Sequence, residues 1–173
     1  MNTDTGGEER ERPVQVAVIG PGTCTPGEYA AGHTAGRILA ENKAILLCGG
    51  RGGVMEAACR GARGGNGTTV GILPDAGGGN PYLSVVIRSD LGNARNAVLV
   101  QSADAVIALG GAYGTLSEIA LALKIGKAVF GFQTWDIAGV TRCTSPEDAT
   151  VRALAAARRS PVYRSPRDGR GSP

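Results

Sequence analysis

Two short segments combine glycine with the start of a helical pattern, and they are where this chain could do chemistry. Residues 48–55 read Cys48-Gly49-Gly50-Arg51-Gly52-Gly53-Val54-Met55, and residues 109–118 read Leu109-Gly110-Gly111-Ala112-Tyr113-Gly114-Thr115-Leu116-Ser117-Glu118. In both, an apolar run stops at the glycines and a helix follows. Glycine leaves backbone N–H groups uncovered, and a helix N-terminus adds a partial positive charge, so such a turn suits a phosphate or another anion. The purely structural alternative is a turn that lets helix and sheet pack closely. With Gly20 and Gly22 after the first apolar run, the candidate phosphate ligands are Gly20, Gly22, Gly49, Gly50, Gly52, Gly53, Gly110, Gly111, Gly114 and Thr115.

Common nucleotide signatures do not fit these turns. A P-loop needs G-x-x-x-x-G-K-[ST], and neither turn has a lysine at that place. Gly20 and Gly22 begin a G-x-G, but Thr25 stands where the third glycine belongs, and no acid follows the second strand to hold a ribose hydroxyl. Walker-type and NAD-dependent chemistry are disfavoured. The four cysteines Cys24, Cys48, Cys59 and Cys143 form no C-x-x-C pair, and His33 is the only histidine, so no metal site is expected.

The elements that must position the turns alternate in type. Residues 14–19, 44–48, 68–73, 84–87, 105–109 and 128–132 are short, β-branched apolar runs that read as strands. Helical patterns fill 26–41, 54–64, 92–102, 115–125 and 146–157. The first has a full start signal: Thr25 as N-cap, Pro26 at the first helical position and Glu28 closing a capping box. This alternation predicts an α/β, Rossmann-like three-layer fold, with a mostly parallel sheet covered by helices on both faces. Ligands of such sheets bind beyond the carboxyl ends of the strands.

The chain has 173 residues, suited to one domain over 13–160, with glycine at about twice its usual share and few aromatics. The net charge of +3 comes from the ends, because Lys and Arg balance Asp and Glu between 13 and 150. Residues 1–12 and 161–173 lack apolar periodicity and are expected to be disordered tails, the second one basic. A basic tail alone does not make a nucleic-acid site, and no basic patch interleaved with aromatics accompanies it. With no signal peptide and no apolar run near 18 residues, the expectation is a cytoplasmic protein without membrane or nucleic-acid partners.

The two turns, with Ala94-Arg95-Asn96 between them, resemble the LOG-like (lysine-decarboxylase-like, SLOG) family over about residues 14–135. Within it, Gly71-Ile72-Leu73-Pro74 and Asn80-Pro81-Tyr82 are most similar to the branch that includes molybdenum cofactor carrier proteins. LOG enzymes release a free base and ribose 5-phosphate from a nucleoside 5'-monophosphate, and their hallmark is P-G-G-x-G-T-x-x-E with an upstream arginine. Gly114, Thr115 and Glu118 match it, and Arg95 lies about where the arginine belongs. Gly110 replaces the proline and Ala112 the second glycine. The older decarboxylase label implies pyridoxal phosphate, but Lys124 and Lys127 fall at a helix end, not in a Schiff-base context.

The resemblance implies three functions: a phosphoribohydrolase needing no cofactor, a non-catalytic carrier whose cargo is the phosphate-bearing molybdenum cofactor, or a nucleotide sensor. Each takes a phosphorylated small molecule, and the family implies a homodimer or homotetramer, with the helices at 92–102 and 115–125 supplying the interface. In the enzyme reading Glu118 stabilises positive charge on the ribose and Arg95 grips phosphate. Spacing offers alternatives: Thr115-Leu116-Ser117-Glu118 is also a capping box, and Arg95 can pair with the phosphate, with Glu118, or with a surface acid such as Asp90. His33 and the cysteines read as packing residues, Trp135 as a residue that packs the last loop, and Tyr113 as either an exposed ring or a base platform.

Overall fold

The computed structural model describes residues 12–160, so the expected tails lie outside the described residues apart from Arg12. Strands β1 (Gln15–Ile19), β2 (Ile45–Cys48), β3 (Thr69–Leu73), β4 (Val85–Arg88), β5 (Ala105–Leu109), β6 (Val129–Phe132) and β7 (Val140–Arg142) form one sheet of order β4-β3-β2-β1-β5-β6-β7. Every pairing is parallel, for example Val18 opposite Ile107 and Leu47 opposite Val70. The short strand β7 had no counterpart among the expected elements. It holds only three residues and carries no apolar run; its pairing with β6 is what makes it a strand.

Helices α1 (Pro26–Glu41), α2 (Val54–Gly64) and α5 (Pro146–Arg159) cover one face, where Leu39, Val54, Ala58 and Ala153 meet Val16, Val18, Leu46 and Ile107. Helices α3 (Arg95–Ser102) and α4 (Tyr113–Lys124) cover the other, where Leu99 and Ile119 meet Ala17, Ile19 and Val106. β1 and β5 thus present apolar side chains alternately to two cores, which is why both read as nearly continuous hydrophobic runs. Each fully buried Val, Leu or Ile contributes roughly 1.5–3 kcal/mol. The glycines of α1 and α2 serve close helix contact. A Cβ on Gly32 would stand 2.8 Å from the carbonyl oxygen of Val54, and one on Gly36 would strike the backbone of Ala58.

The capping box of α1 forms as expected, Thr25 Oγ1 accepting from the Glu28 N–H at 3.2 Å and Glu28 Oε2 from the Thr25 N–H at 2.8 Å. The capping box that spacing offered as an alternative at Thr115 does not form. α4 begins two residues earlier, at Tyr113, with Ala112 as N-cap and no side-chain cap. Glu118 therefore lies in the second turn, beyond reach of the helix start. The segment 92–102 divides into a 3-10 turn, Gly92–Ala94, and α3, which places Arg95 at the first residue of the α-helix. At the opposite end of the sheet Arg12 is held by Asp104, whose Oδ1 and Oδ2 accept at 2.6 and 2.9 Å.

Candidate functional site

From β1 the chain winds outward through β2, β3 and β4, then returns to place β5 on β1's other side. The crevice beyond the carboxyl ends of β1 and β5 is therefore the topological switch point, the usual ligand position in an open α/β sheet. A cleft of about 200 Å³ opens there, lined by Gly20, Pro21 and Gly22 after β1, Asn93, Arg95 and Asn96 at the start of α3, Ala112, Gly114, Thr115 and Glu118 from the second glycine turn, and Met55.

The two glycine turns are not neighbours, because β1 and its Gly20-Pro21-Gly22 loop stand between them. The first turn is mostly packed. A Cβ on Gly49 would collide with the Arg95 guanidinium, and one on Gly50 with Leu73. Gly53 has φ +64°, and a side chain there would lie 2.7 Å from the carbonyl oxygen of Gly22. The turn is also fastened from outside, where Arg51 pairs with Asp75 and Asn80 donates to the Arg51 carbonyl at 3.1 Å. Gly49, Gly50, Gly52 and Gly53 do not line the cleft; Gly49 reaches it indirectly, by making room for Arg95.

In the second turn Gly110 and Gly111 are also packed. Gly110 has φ +66°, with the Glu28 carboxylate where a side chain would go, and a Cβ on Gly111 would stand 3.0 Å from Trp135 Nε1. Proline, fixed near φ −65°, cannot adopt that conformation, so the turn at Gly110 differs in backbone shape from the proline-bearing hallmark. Gly114 is different: nothing lies within 4 Å of the position its Cβ would occupy. It sits in the uncapped first turn of α4, beside Thr115, whose hydroxyl is buried and has no hydrogen-bond partner. An open helix N-terminus next to an orphaned buried hydroxyl leaves hydrogen-bond donors unused, the chemistry that suits an anion. α1, at the same rim, caps itself with Thr25 and Glu28 and offers no such start.

Arg95 and Glu118 meet across the cleft, Nη1 to Oε1 at 3.3 Å, with side chains 11% and 7% exposed. Arg95 thus pairs with the buried Glu118 and not with the exposed Asp90. Burial pushes the Glu118 carboxyl up to about 7, although the Arg95 guanidinium pulls it down. Arg95 Nε is buried without a partner, so the guanidinium retains unused donor capacity. Asn96, buried and donating to Ser117 Oγ at 3.3 Å, ties α3 to α4 beneath this pair. Asn93 and Asn96 were not among the expected site residues; the sequence signal for them was their place beside Arg95.

Cys48 is fully buried with its Sγ 3.5 Å from that of Cys59, and His33 is half-buried in α1. Trp135 reaches from the last loop to the second glycine turn, donating to the Ala112 carbonyl at 3.3 Å and stacking on Tyr113 with ring centroids 6.2 Å apart. Among the described residues no cluster of His, Cys, Asp and Glu could hold a metal ion, and no helix is long and apolar enough to cross a membrane.

A parallel α/β sheet covered by helices on both faces, with glycine turns and a cleft at its switch point, defines the Rossmann-like class. The chain belongs to the SLOG cluster4 family, whose model matches residues 13–159. It is 42% identical over 138 residues to an uncharacterized protein of Archaeoglobus fulgidus, covering 79% of this chain and 91% of that one. Among solved structures it is similar to the molybdenum cofactor binding protein from the phototrophic bacterium Rippkaea orientalis, with TM-score 0.80 and 36% identity over 84% of this chain and 98% of that one. It is also similar to the molybdenum cofactor carrier protein of Chlamydomonas reinhardtii, with TM-score 0.76 and 31% identity over 84% and 99%.

Proposed function

We propose that this protein is a carrier that holds a phosphate-bearing pterin, the molybdenum cofactor, with the phosphate at the N-terminus of α4. The observation that carries the reading is the pairing of an uncapped, sterically open helix start at Gly114 with the orphaned hydroxyl of Thr115. Relatives matched along nearly their whole length that bind or carry that cofactor supply the cargo. Arg95 contributes positive charge beside the phosphate, and Glu118 holds Arg95 in place when no ligand is bound.

A second reading rests on Glu118. A buried carboxyl lining the cleft, with its pKa near 7, suits proton transfer at neutral pH. In that reading the protein is a phosphoribohydrolase: water adds to the anomeric carbon of a nucleoside 5'-monophosphate as the N-glycosidic bond breaks, Glu118 accepts the water's proton, and the departing base, which keeps the bonding pair, takes up a proton in exchange. The altered backbone at Gly110 favours the carrier. The exposed apolar residues Val85, Val86 and Ile87 of β4 and Val98 of α3 fit self-association, for which sedimentation should give a dimer or tetramer.

Incubation with a panel of nucleoside monophosphates separates the readings. The carrier releases no free base above the level of Glu118→Gln, whereas turnover abolished in that variant establishes the hydrolase. Protein isolated from a molybdenum-replete host should contain a bound pterin by mass spectrometry, and protein that stays empty after saturation with cofactor removes the carrier.

A further inference from the structure

A second cavity, of about 230 Å³, opens on the same rim at the carboxyl ends of β6 and β7. It is bordered by Gln133, Thr134, Trp135, Arg142 and Cys143. The two hollows adjoin: Ala112 lines the cleft, and its carbonyl accepts from the Nε1 of Trp135, which lines the cavity. Neither hollow by itself reaches the roughly 300–1,000 Å³ of a site that encloses a drug-sized ligand.

The lining chemistry differs from that of the cleft. Thr134 Oγ1 is buried with no hydrogen-bond partner, a polar group whose isolation calls for an explanation. Gln133, which precedes it, is held at φ +50°, a left-handed conformation uncommon for a residue other than Gly, Asn or Asp. Its side chain brings an amide to the lining of the cavity. Trp135 supplies an indole fixed by its hydrogen bond and by the Tyr113 ring. An aromatic wall with amide and hydroxyl groups beside it fits a flat heteroaromatic ring with hydrogen-bonding edges.

We infer that this cavity is the ring subsite of a two-part site, receiving the planar heterocycle of a ligand whose phosphate occupies the α4 N-terminus. The inference deepens the proposed function and rests on its placement of the phosphate. It accounts for Trp135 bridging the last loop to the second glycine turn: the contact keeps the two halves of the site in register.

Trp135 is the only tryptophan in the chain, so intrinsic fluorescence reports on the cavity directly. The probes are inorganic phosphate, ribose 5-phosphate and GMP, whose guanine carries the same amino-oxo pyrimidine edge as a pterin. GMP should quench the fluorescence and bind about tenfold more tightly than ribose 5-phosphate, the order expected of one base stacked on one aromatic ring. The shape-preserving Thr134→Val should remove that advantage in calorimetry while leaving ribose 5-phosphate binding unchanged, and Trp135→Leu should remove it as well. Phosphate binding with no quenching by GMP, or equal loss of both ligands in Thr134→Val, overturns the ring subsite and leaves the phosphate cleft standing. No binding of any of the three overturns both.

Discussion

Replacing Glu118 by glutamine tests the electrostatics of the cleft without a ligand. Burial raises this carboxyl from its ordinary 4.5 to about 7 even beside Arg95. The folded chain therefore keeps the Glu118 proton to higher pH than the unfolded chain does. Its contribution to stability is complete below about pH 4.5 and declines as pH rises to about 7, above which it no longer changes. At 1.36 kcal/mol per pH unit the whole decline is about 3 kcal/mol. Glu118→Gln cannot titrate. Urea unfolding of both proteins at a series of pH values from 4 to 8 should give a wild-type stability that falls, relative to the variant, by that amount. The other titrations are common to both proteins and cancel in the difference. A difference that stays flat with pH would refute the claim that Glu118 is buried against its charged form.

The same carboxyl sets the pH dependence of anion binding: affinity for ribose 5-phosphate should weaken as pH rises through 7 and Glu118 neutralises Arg95, more steeply in the wild type than in Glu118→Gln by calorimetry. Thr115→Val, which preserves shape and deletes the orphaned hydroxyl, should leave the free protein as stable or up to about 1–3 kcal/mol more stable in urea while weakening ribose 5-phosphate binding. Gly110→Pro, which introduces the proline of the LOG hallmark, should destabilise by about 3 kcal/mol or more in the same assay, because φ +66° is closed to proline and the Glu28 carboxylate occupies the place of its side chain.

Much of the frame was legible in the sequence because it rests on local signals. The switch of period from strand to helix located six of the seven strands, and Thr25 and Glu28 marked the start of α1 to the residue. β7 escaped because its three residues are strand only by pairing with β6. The site was harder to read. A glycine that exposes backbone to a ligand and one that makes room for a packed neighbour look alike in sequence. Gly114 faces open space, but Gly49 makes room for Arg95 and Gly110 for Glu28. Glu118 looked like a cap because Thr115 lies three residues before it, but the helix starts at Tyr113 and frees Glu118 to face Arg95. Sheet order, which depends on pairing between distant segments, decided that the cleft lies between the β1 loop and the second turn and not between the two glycine turns.

Whether the anionic end of a pterin sits at the N-terminus of α4 is decided by Gly114→Asp. The position has nothing within 4 Å of its would-be Cβ, so the variant should fold. A carboxylate in the first turn favours the helix dipole by about 0.3–1 kcal/mol, so its thermal stability should not fall. Both proteins would be isolated from a molybdenum-replete host and their bound pterin measured by mass spectrometry. Pterin should be present in the wild type and absent from the equally stable variant; equal pterin in both would show that the anion does not sit at this helix start, and none in the wild type that the protein is not a pterin carrier.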